Sequence, residues 1–258
     1  MFFARQVAMS QTPLCSIITV VYNAESLIER TLRSAALQTV QDYEHWIIDG
    51  ASTDGTLKEV ENYRHARMHV VSERDKGIYD AMNKGLARAK GKYVIFMNAG
   101  DEFYDNHVLE RALKQNDGAD FIYGETAVVD EAGNILGNRR LSPPNQLNWR
   151  SLQRGMCVSH QSIFMRRELA EPYDLNYRIS GDIDWTIRML RKSSHIVNSK
   201  GYISKFLEGG VSASRRNQGL KERFLIMRKH YGLVTTLFNH GIILLRYPLH
   251  RLTRKSMT

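Results

Sequence analysis

The first hundred residues alternate four times between short apolar runs and segments with helical spacing. The apolar runs are Ser16–Val21, Trp46–Ile48, Met68–Val71 and Tyr93–Met97, each short and rich in β-branched or aromatic residues. Between them, apolar residues recur every three or four positions, as at Leu27, Ile28 and Leu32. Because parallel strands need a long crossover, this alternation predicts an α/β fold: a mainly parallel sheet flanked by helices on both faces.

A small polar cluster follows each predicted strand. The four clusters are Tyr22-Asn23, Asp49 to Asp54, Asp75-Lys76 and Asn98 to Asp101. Since the carboxyl ends of parallel strands meet at one edge of the sheet, we expect the clusters to line a single crevice, where such sheets bind their ligands.

The last of these clusters has the clearest chemistry. Ala99 and Gly100 allow a close backbone approach to a ligand, and Asp101 follows them at the end of the strand. A carboxylate there can hold a divalent cation that neutralises a diphosphate. Alternatively, Asp101 only favours the turn.

After residue 120 the alternation stops. The sequence there predicts a strand at 121–124, a hairpin from 127–129 and 134–137, a strand at 162–165, and helices at 183–190 and 220–231. We interpret residues 1–213 as one domain and residues 214–258 as a basic amphipathic helical tail, packed either on the domain or on a membrane surface.

The net charge of +9 resides in that tail, which has ten Lys or Arg residues and one acid, Glu222. No secretory signal and no uninterrupted apolar run of spanning length is evident. Cys15 and Cys157 have no metal-ligand spacing, and Cys15 adjoins an apolar run, which favours a buried free thiol. A reducing, cytoplasmic location is therefore expected.

Four ordered segments resemble the family 2 glycosyltransferases, which have the GT-A fold and use nucleotide-sugars. The segments are Ser16 to Asn23, Ile48 to Thr56, Ser72 to Gly85 and Phe96 to Glu102. The resemblance extends over roughly residues 14–210, and the third segment is most like bacterial enzymes that build surface polysaccharides of the colanic acid, O-antigen or capsule type.

The resemblance implies a role for each matching residue in binding the nucleotide-sugar. Contacts to the base and ribose are implied for Thr19, Val21, Tyr22 and Asn23, and a hydrogen bond to the nucleobase, commonly uracil, for Asp49. Positions near the diphosphate and donor sugar are implied for Asp75, Asn83, Lys84, Asn98, Ala99, Gly100 and Asp101.

The family's metal motif D-x-D is altered in this chain. Asn98 replaces the first acid, and one extra residue precedes Asp101. The resemblance implies that Asp101 binds Mg²⁺ or Mn²⁺, whereas Asn98 offers only a neutral oxygen.

A second acidic segment resembles the family's catalytic-base motif at the start of a helix. Asp182 matches the base position and Asp184 is the second choice, although carboxylates at helix starts are also ordinary caps. His160 is expected on the acceptor side, and a lone histidine is often only structural. Arg215 follows a glycine pair that resembles a loop closing over the donor phosphates, but it also fits a solvated basic surface.

The implied reaction is transfer of a sugar, with inversion, from a UDP-sugar to a hydroxyl of a glycan acceptor. The expected acceptor is lipid-linked, in bacterial polysaccharide biosynthesis, and the basic tail would contact anionic lipid at the inner face of the cytoplasmic membrane.

Other classes of protein fit less well. A nucleic-acid-binding module would carry a recognised motif, and a nicotinamide-dependent oxidoreductase would have G-x-G-x-x-G after the first strand, where Tyr22 to Glu25 stand instead. A sugar nucleotidyltransferase would need a phosphate loop rich in glycine and lysine at that place. A catalytically weak relative that only binds nucleotide-sugar remains an alternative because of Asn98.

Overall fold

The computed structural model describes residues 12–209 and 215–241. Its strands are β1 (Cys15–Val21), β2 (Tyr43–Asp49), β3 (Met68–Ser72), β4 (Tyr93–Phe96), β5 (Glu102–Phe103), β6 (Phe121–Val129), β7 (Ile135–Asn138), β8 (Ile163–Arg166) and β9 (Ile196–Leu207). Its α-helices include α1 (Glu25–Ala36), α2 (Thr56–Asn62), α3 (Ile78–Arg88), α4 (Gly181–Lys192) and α5 (Arg216–Tyr231). Residues 233–241 are also helical.

Within the described residues the strands form one mixed sheet in the order β3-β2-β1-β4-β8-β6-β9-β5, with β7 paired to β6. Strands β1 to β4 pair in parallel, as the strand–helix alternation predicts. Strand β8 is antiparallel to both β4 and β6, so it joins this first half to the irregular second half. The α/β fold expected from the sequence is confirmed.

Helices cover both faces of the sheet. On one face, Ile28 and Leu32 of α1 pack with Ile47 of β2. Helices α3 and α4 cover the other face. Met82 of α3 and Ile183 of α4 lie there in one buried cluster with Ile18 of β1. Alternate residues of β1 therefore enter different cores, as the period of two in a strand requires.

Helix α4 is held against β4 by an aromatic cluster. The fully buried Trp185 stacks on Tyr173 with ring centroids 5.1 Å apart and meets the edge of Phe96 at 5.7 Å. Its indole nitrogen donates to the Glu171 carbonyl at 2.7 Å. Because Trp185 lies one turn inside α4, this packing fixes the start of that helix, where Asp182 and Asp184 lie.

The predicted hairpin after residue 120 is confirmed by the antiparallel pairing of β6 with β7. Strands β5 and β9, however, were not predicted. The pattern of β9 is obscured by a polar centre, Asn198 to Gly201, where Lys200 adopts a positive φ of 52° and the pairing with β6 shifts register.

Part of the predicted tail packs on the sheet domain. Ile226 and Met227 of α5 are buried in the same apolar cluster as Trp185. Among the described residues, no helix is long and apolar enough to cross a membrane. The predicted tail residues 242–258 lie outside the described part of the chain.

Candidate active site

The carboxyl ends of β1 and β2 form the first side of the crevice. Asp49, the last residue of β2, is buried, and its carboxylate accepts from the Ser52 amide at 3.0 Å and the Ser72 hydroxyl at 2.6 Å. Tyr22, just after β1, is 62% exposed. These bonds fix the Asp49 carboxylate, and the exposed Tyr22 ring lies next to the neighbouring Gly50, a pairing of groups that suits a planar base.

Asn23 joins the loops that follow β1 and β2. Its backbone amide donates to the Ser52 hydroxyl at 2.8 Å, and its Oδ1 accepts from the Thr53 amide at 2.9 Å. Its φ is +47°, a conformation that asparagine tolerates better than most residues. Val21, the last residue of β1, is buried in the core.

The structure places the Thr19 side chain away from the crevice surface. Thr19 is fully buried, and its hydroxyl lies 2.9 Å from Nε2 of the buried His45. The register of β1 explains this, because Thr19 shares a face with Ile17 and Val21. The buried Thr19 side chain is therefore out of reach of a nucleotide in this structure, in contrast to the contact implied by the resemblance.

Asp75 also reaches this side of the crevice. A Cβ on Gly50 would lie 2.5 Å from Asp75 Oδ2 and 3.3 Å from the Tyr22 ring, so only glycine fits between the two side chains. The other carboxylate oxygen of Asp75 accepts from the Gly77 amide at 2.8 Å. Asp75, Gly50 and Tyr22 are thus brought together from three loops.

Asn83 and Lys84 are engaged in contacts within the protein. Asn83 Nδ2 donates to the Tyr173 carbonyl at 2.9 Å, and its Oδ1 accepts from the Tyr173 amide at 2.7 Å. Lys84 donates to the Arg74 carbonyl at 2.6 Å and lies 3.4 Å from Glu73. Asn83 therefore fixes the Tyr173 backbone with both ends of its amide, which leaves that amide committed to the protein rather than to the donor sugar implied by the resemblance.

The turn after β4 is held by Thr31 of α1. Gly100 adopts a positive φ of 97° and donates its amide to the Thr31 hydroxyl at 3.0 Å, and that hydroxyl donates to the Asp101 carbonyl at 2.7 Å. The Ala99 amide is bonded to β1, at the Val20 carbonyl. This network explains the glycine and sets the direction of Asp101.

The Asp101 carboxylate is only 6% exposed. Gln161 Nε2 donates to its Oδ2 at 2.7 Å, and the Leu207 amide lies 3.4 Å from its Oδ1. Burial raises the pKa of Asp101 to about 6, and the bond from Gln161 opposes this rise. A cation placed here would recover the energy lost on burying the charge.

His160 connects the Asn98 side chain to Asp182. Asn98 Nδ2 lies 3.1 Å from His160 Nε2, and His160 Nδ1 lies 3.7 Å from Asp182 Oδ2. Because an amide nitrogen only donates, Nε2 acts as the acceptor, and the proton of the neutral ring is on Nδ1, facing Asp182. The structure therefore brings together Asn98, His160 and Asp182.

Asp182 lies at the start of α4 with its side chain 25% exposed. Its Oδ1 accepts from the Ile183 amide at 3.0 Å and lies 3.5 Å from the Tyr79 hydroxyl, which donates to the Ile179 carbonyl. Its Oδ2 faces His160 and keeps a free lone pair for a proton.

Asp184, the second choice for the catalytic base, points away from the crevice. It is fully buried and accepts from Arg188 Nε at 2.8 Å and Lys229 Nζ at 3.1 Å, with His230 Nε2 at 2.8 Å. Burial raises the pKa of Asp184, but these bonds outweigh it and hold the pKa far below the ordinary value. A carboxylate that binds protons so weakly is a poor base, so the structure argues against this role.

Arg215 lies exposed just before α5. The glycine pair that precedes it in the predicted loop ends at Gly210, and residues 210–214 lie outside the described part of the chain. The role of Arg215 over the donor phosphates stays a prediction.

Sequence reasoning missed the residue that holds the loop before Asp182. Glu222 of α5 accepts from three consecutive backbone amides, Arg178 at 3.0 Å, Ile179 at 2.8 Å and Ser180 at 2.9 Å. In the sequence, Glu222 is the one acidic residue of segment 214–258, which has ten Lys or Arg residues. That isolation was the sequence feature that could have indicated a structural role for Glu222.

The residues available to a metal are few. Among the described residues there is no group of three or more His, Cys, Asp or Glu side chains that could hold a cation. Asn98 Oδ1, however, is buried without a hydrogen-bond partner in the described part of the chain, close to the turn that carries Asp101. One carboxylate and one amide oxygen fit a Mg²⁺-type site that a diphosphate completes, because such ions take few protein ligands.

Comparisons with known proteins identify the family of this chain. The family model for glycosyl transferase family 2 matches residues 16–173. A PGL/p-HBAD biosynthesis glycosyltransferase of Mycobacterium bovis is 32% identical over 185 residues, which cover 68% of this chain and 69% of the relative. The putative teichuronic acid biosynthesis glycosyltransferase TuaG of Bacillus subtilis is 26% identical over 237 residues, 88% of this chain and 93% of TuaG.

Two solved structures share the fold. TarS 1–349 of S. aureus, in complex with UDP-GlcNAc, superposes with a TM-score of 0.67 at 20% identity, covering 82% of this chain and 65% of that one. The mannosyltransferase PcManGT of Pyrobaculum calidifontis, in complex with GDP-Man and Mn²⁺, gives a TM-score of 0.61 at 16% identity, covering 96% and 80%.

The sheet order, with a crevice at its carboxyl edge, is that of the GT-A fold. The chain belongs to glycosyl transferase family 2.

Proposed function

We propose that the protein is an inverting glycosyltransferase that moves a sugar from a UDP-sugar to a hydroxyl of a glycan acceptor. The observation that carries the proposal is the line of side chains from Asn98 through His160 to Asp182. At one end, Asn98 belongs to the turn after β4, which suits a metal ion and a diphosphate. At the other end, the partly exposed Asp182 carboxylate suits an acceptor hydroxyl.

The donor would occupy the crevice from β2 towards β4. Asp49 and Tyr22 would bind the base, with Asp75 beside them near Gly50. That TarS binds UDP-GlcNAc on a sheet of this fold supports a nucleotide-sugar as donor. Asp101 and Asn98 Oδ1 would hold Mg²⁺ or Mn²⁺, which supplies positive charge for the leaving diphosphate.

Asp182 would act as the general base. Its Oδ2 is the oxygen with no backbone bond among the described residues, so it can accept the proton of an acceptor hydroxyl as that oxygen attacks the anomeric carbon. The Nδ1–H of His160 faces the same oxygen and would keep the carboxylate oriented. A single displacement inverts the configuration at the anomeric carbon.

The name of TuaG, a putative teichuronic acid biosynthesis glycosyltransferase, supports a role in bacterial polysaccharide biosynthesis. We propose in addition that the acceptor is lipid-linked and that the protein acts at the inner face of the cytoplasmic membrane. In residues 233–241, Val234 and Phe238 are 82% and 68% exposed, and Leu237 lies beside them on the same helical face. Apolar side chains next to a basic helix are suited to anionic lipid, at roughly 1 kcal/mol for each Lys or Arg near the surface.

Vesicle sedimentation tests the membrane contact. The full chain should sediment with vesicles containing phosphatidylglycerol and not with pure phosphatidylcholine, and the double variant Val234→Ser, Phe238→Ser should stay in solution. Equal sedimentation of the variant would contradict a role for these side chains.

Thermal unfolding in the presence of nucleotides tests the function. UDP with Mn²⁺ should raise the unfolding midpoint by mass action, and GDP, dTDP and CMP should raise it less. Asp101→Ala should lose the metal-dependent part of the shift, whereas Asp182→Asn should keep it. If no nucleotide shifts the midpoint at millimolar concentration, the proposed function is wrong.

A second assay separates an active enzyme from a relative that only binds the donor. The wild-type protein should release UDP from its UDP-sugar when an acceptor is supplied, and Asp182→Asn should not. Nucleotide binding without any release above that of Asp182→Asn would favour the catalytically weak alternative.

A further inference from the structure

Three arginines lie close enough to Asp182 for their charges to interact with one another or with it. Arg139 and Arg140 directly follow β7, and Arg223 lies on α5, so they come from distant parts of the chain. Burial is the main cause of a lowered pKa at Arg223, the charges of Arg140 and Arg139 lower it further, and the Asp182 charge raises it. The packing places the two segments together as well, because Arg223 Nη2 and the side chain of Leu141, the residue after Arg140, both lie against Gly155.

Arg139 and Arg223 are half-buried and Arg140 is exposed, and in the described part of the chain none of them has a carboxylate partner of the kind that the half-buried Arg188 has. Among the described residues, no acid lies within 4.0 Å of Arg139, Arg140 or Arg223, whereas Arg188 contacts Asp184 and Glu171 at 2.8 Å each. Arg139 Nη1 is buried with no hydrogen-bond partner in the described part of the chain. Since a buried cation is costly unless it is paired, this cluster is arranged for an anion from outside.

The backbone makes room for this arrangement. A Cβ at Gly155 would collide with Arg223 Nη2 and would lie 3.1 Å from Leu141, and Gly155 also has a positive φ of 129°. Arg223 itself has only a distant backbone contact, 3.5 Å to the Arg154 carbonyl. The fold thus places a guanidinium group with free donors against a glycine.

The position of the cluster indicates which substrate it serves. The nucleotide side of the crevice is formed by β1, β2 and the turn after β4, whereas Arg139 follows β7 in the other half of the sheet. Asp182 lies between the two, because His160 links it to Asn98 on the nucleotide side. An anion bound by the arginines would therefore lie on the acceptor side of the base.

We propose that Arg139, Arg140 and Arg223 form a binding site for an anionic group, a phosphate or a carboxylate, of the acceptor glycan. The assignment to the acceptor rests on the proposed transferase function, but the anion site itself does not. Guanidinium groups suit such a ligand because they donate in pairs to two oxygens.

The test uses the full chain saturated with UDP and Mg²⁺, so that the diphosphate site is filled. Inorganic phosphate and glucuronate are then titrated, and the unfolding midpoint is measured at each concentration. Glucose is the uncharged control for glucuronate, and sodium chloride at equal ionic strength is the control for salt. Both anions should raise the midpoint, and glucose and chloride should not.

Arg139→Gln and Arg223→Gln should each weaken anion binding by about tenfold or more, since one charge-assisted hydrogen bond is worth that much. Arg33→Gln, an exposed arginine on α1, is the matched control and should bind anions as the wild-type protein does. The UDP-induced shift should be the same in all three variants. The ligand-free midpoint of Arg139→Gln should not fall, because the substitution removes an unpaired buried charge.

Three results would overturn the proposal. The first is no anion shift in the wild-type protein, and the second is a loss of the UDP shift in the arginine variants, which would assign them to the donor diphosphate. The third is that the arginine variants bind anions as the wild-type protein does but unfold at a lower temperature without ligand, which would give these arginines a structural role. If UDP does not bind the wild-type protein at all, the transferase function fails, but a phosphate shift lost in Arg223→Gln still supports the anion site.

Discussion

Replacement of Glu222 by glutamine should destabilise the protein and disturb the start of α4, although Glu222 lies in the predicted tail. In the structure, one of its oxygens accepts from the Arg178 amide and Gln218 Nε2, and the other from the Ile179 and Ser180 amides. A glutamine in its best orientation keeps the second pair, but its NH₂ group then faces the Arg178 amide, which loses its acceptor.

The expected loss follows from these contacts. One backbone amide left without a partner at a mostly buried position costs about 2 kcal/mol, and the two remaining bonds lose the assistance of the negative charge. For a chain of this size, about 2 kcal/mol corresponds to a fall of roughly 4–8 °C in the unfolding midpoint. Glu168→Gln, which alters an exposed glutamate, is the matched control and should leave the midpoint unchanged.

The dependence on pH gives a second readout. Although burial raises the pKa of Glu222, the backbone bonds lower it more, so its pKa in the folded protein lies below the ordinary 4.5. Its contribution to stability is therefore complete above pH 4.5 and is lost as the pH falls through the lowered pKa. Thermal unfolding followed by circular dichroism at pH 7 and in the acid range measures this effect. The difference in unfolding midpoint between wild type and Glu222→Gln should become smaller as the pH falls. A midpoint no lower than that of Glu168→Gln at pH 7, or a difference unchanged in acid, would refute the reasoning.

Three further substitutions test other parts of the site. Asp182→Asn should lower kcat by roughly 10²–10⁴-fold and leave UDP binding intact, and turnover near the wild-type rate would exclude Asp182 as the base. Asp184→Asn should cost about 2 kcal/mol in a urea titration, because Arg188 and Lys229 lose a charged acceptor although Glu171 and Asp174 still pair with them; an unchanged midpoint would contradict that pairing. Asn98→Asp, which supplies a second carboxylate, should tighten Mn²⁺ binding measured by calorimetry with UDP present, whereas weaker binding would show that Asn98 is not near the cation.

Local sequence patterns were sufficient to predict the first half of the fold. Buried strands and amphipathic helices each have a period that is visible in a short segment, and parallel strands with helical crossovers allow few topologies. The hairpin of β6 and β7 and helix α4 were also predicted, because a turn signal or apolar spacing marks each one. Strand β9 was missed because its polar centre hides the alternation on which such predictions depend.

The sequence by itself determined the α/β class, the crevice at the carboxyl edge and the family. Only the tertiary structure decided what each side chain does, because hydrogen bonds between residues far apart in the chain leave no periodic signal. Asp182 and Asp184 are two positions apart on one helix, yet one faces His160 and the other is buried against Arg188. Likewise, Glu222 supports the loop before Asp182, and Arg223 lies against Gly155, only because α5 folds back onto the sheet domain.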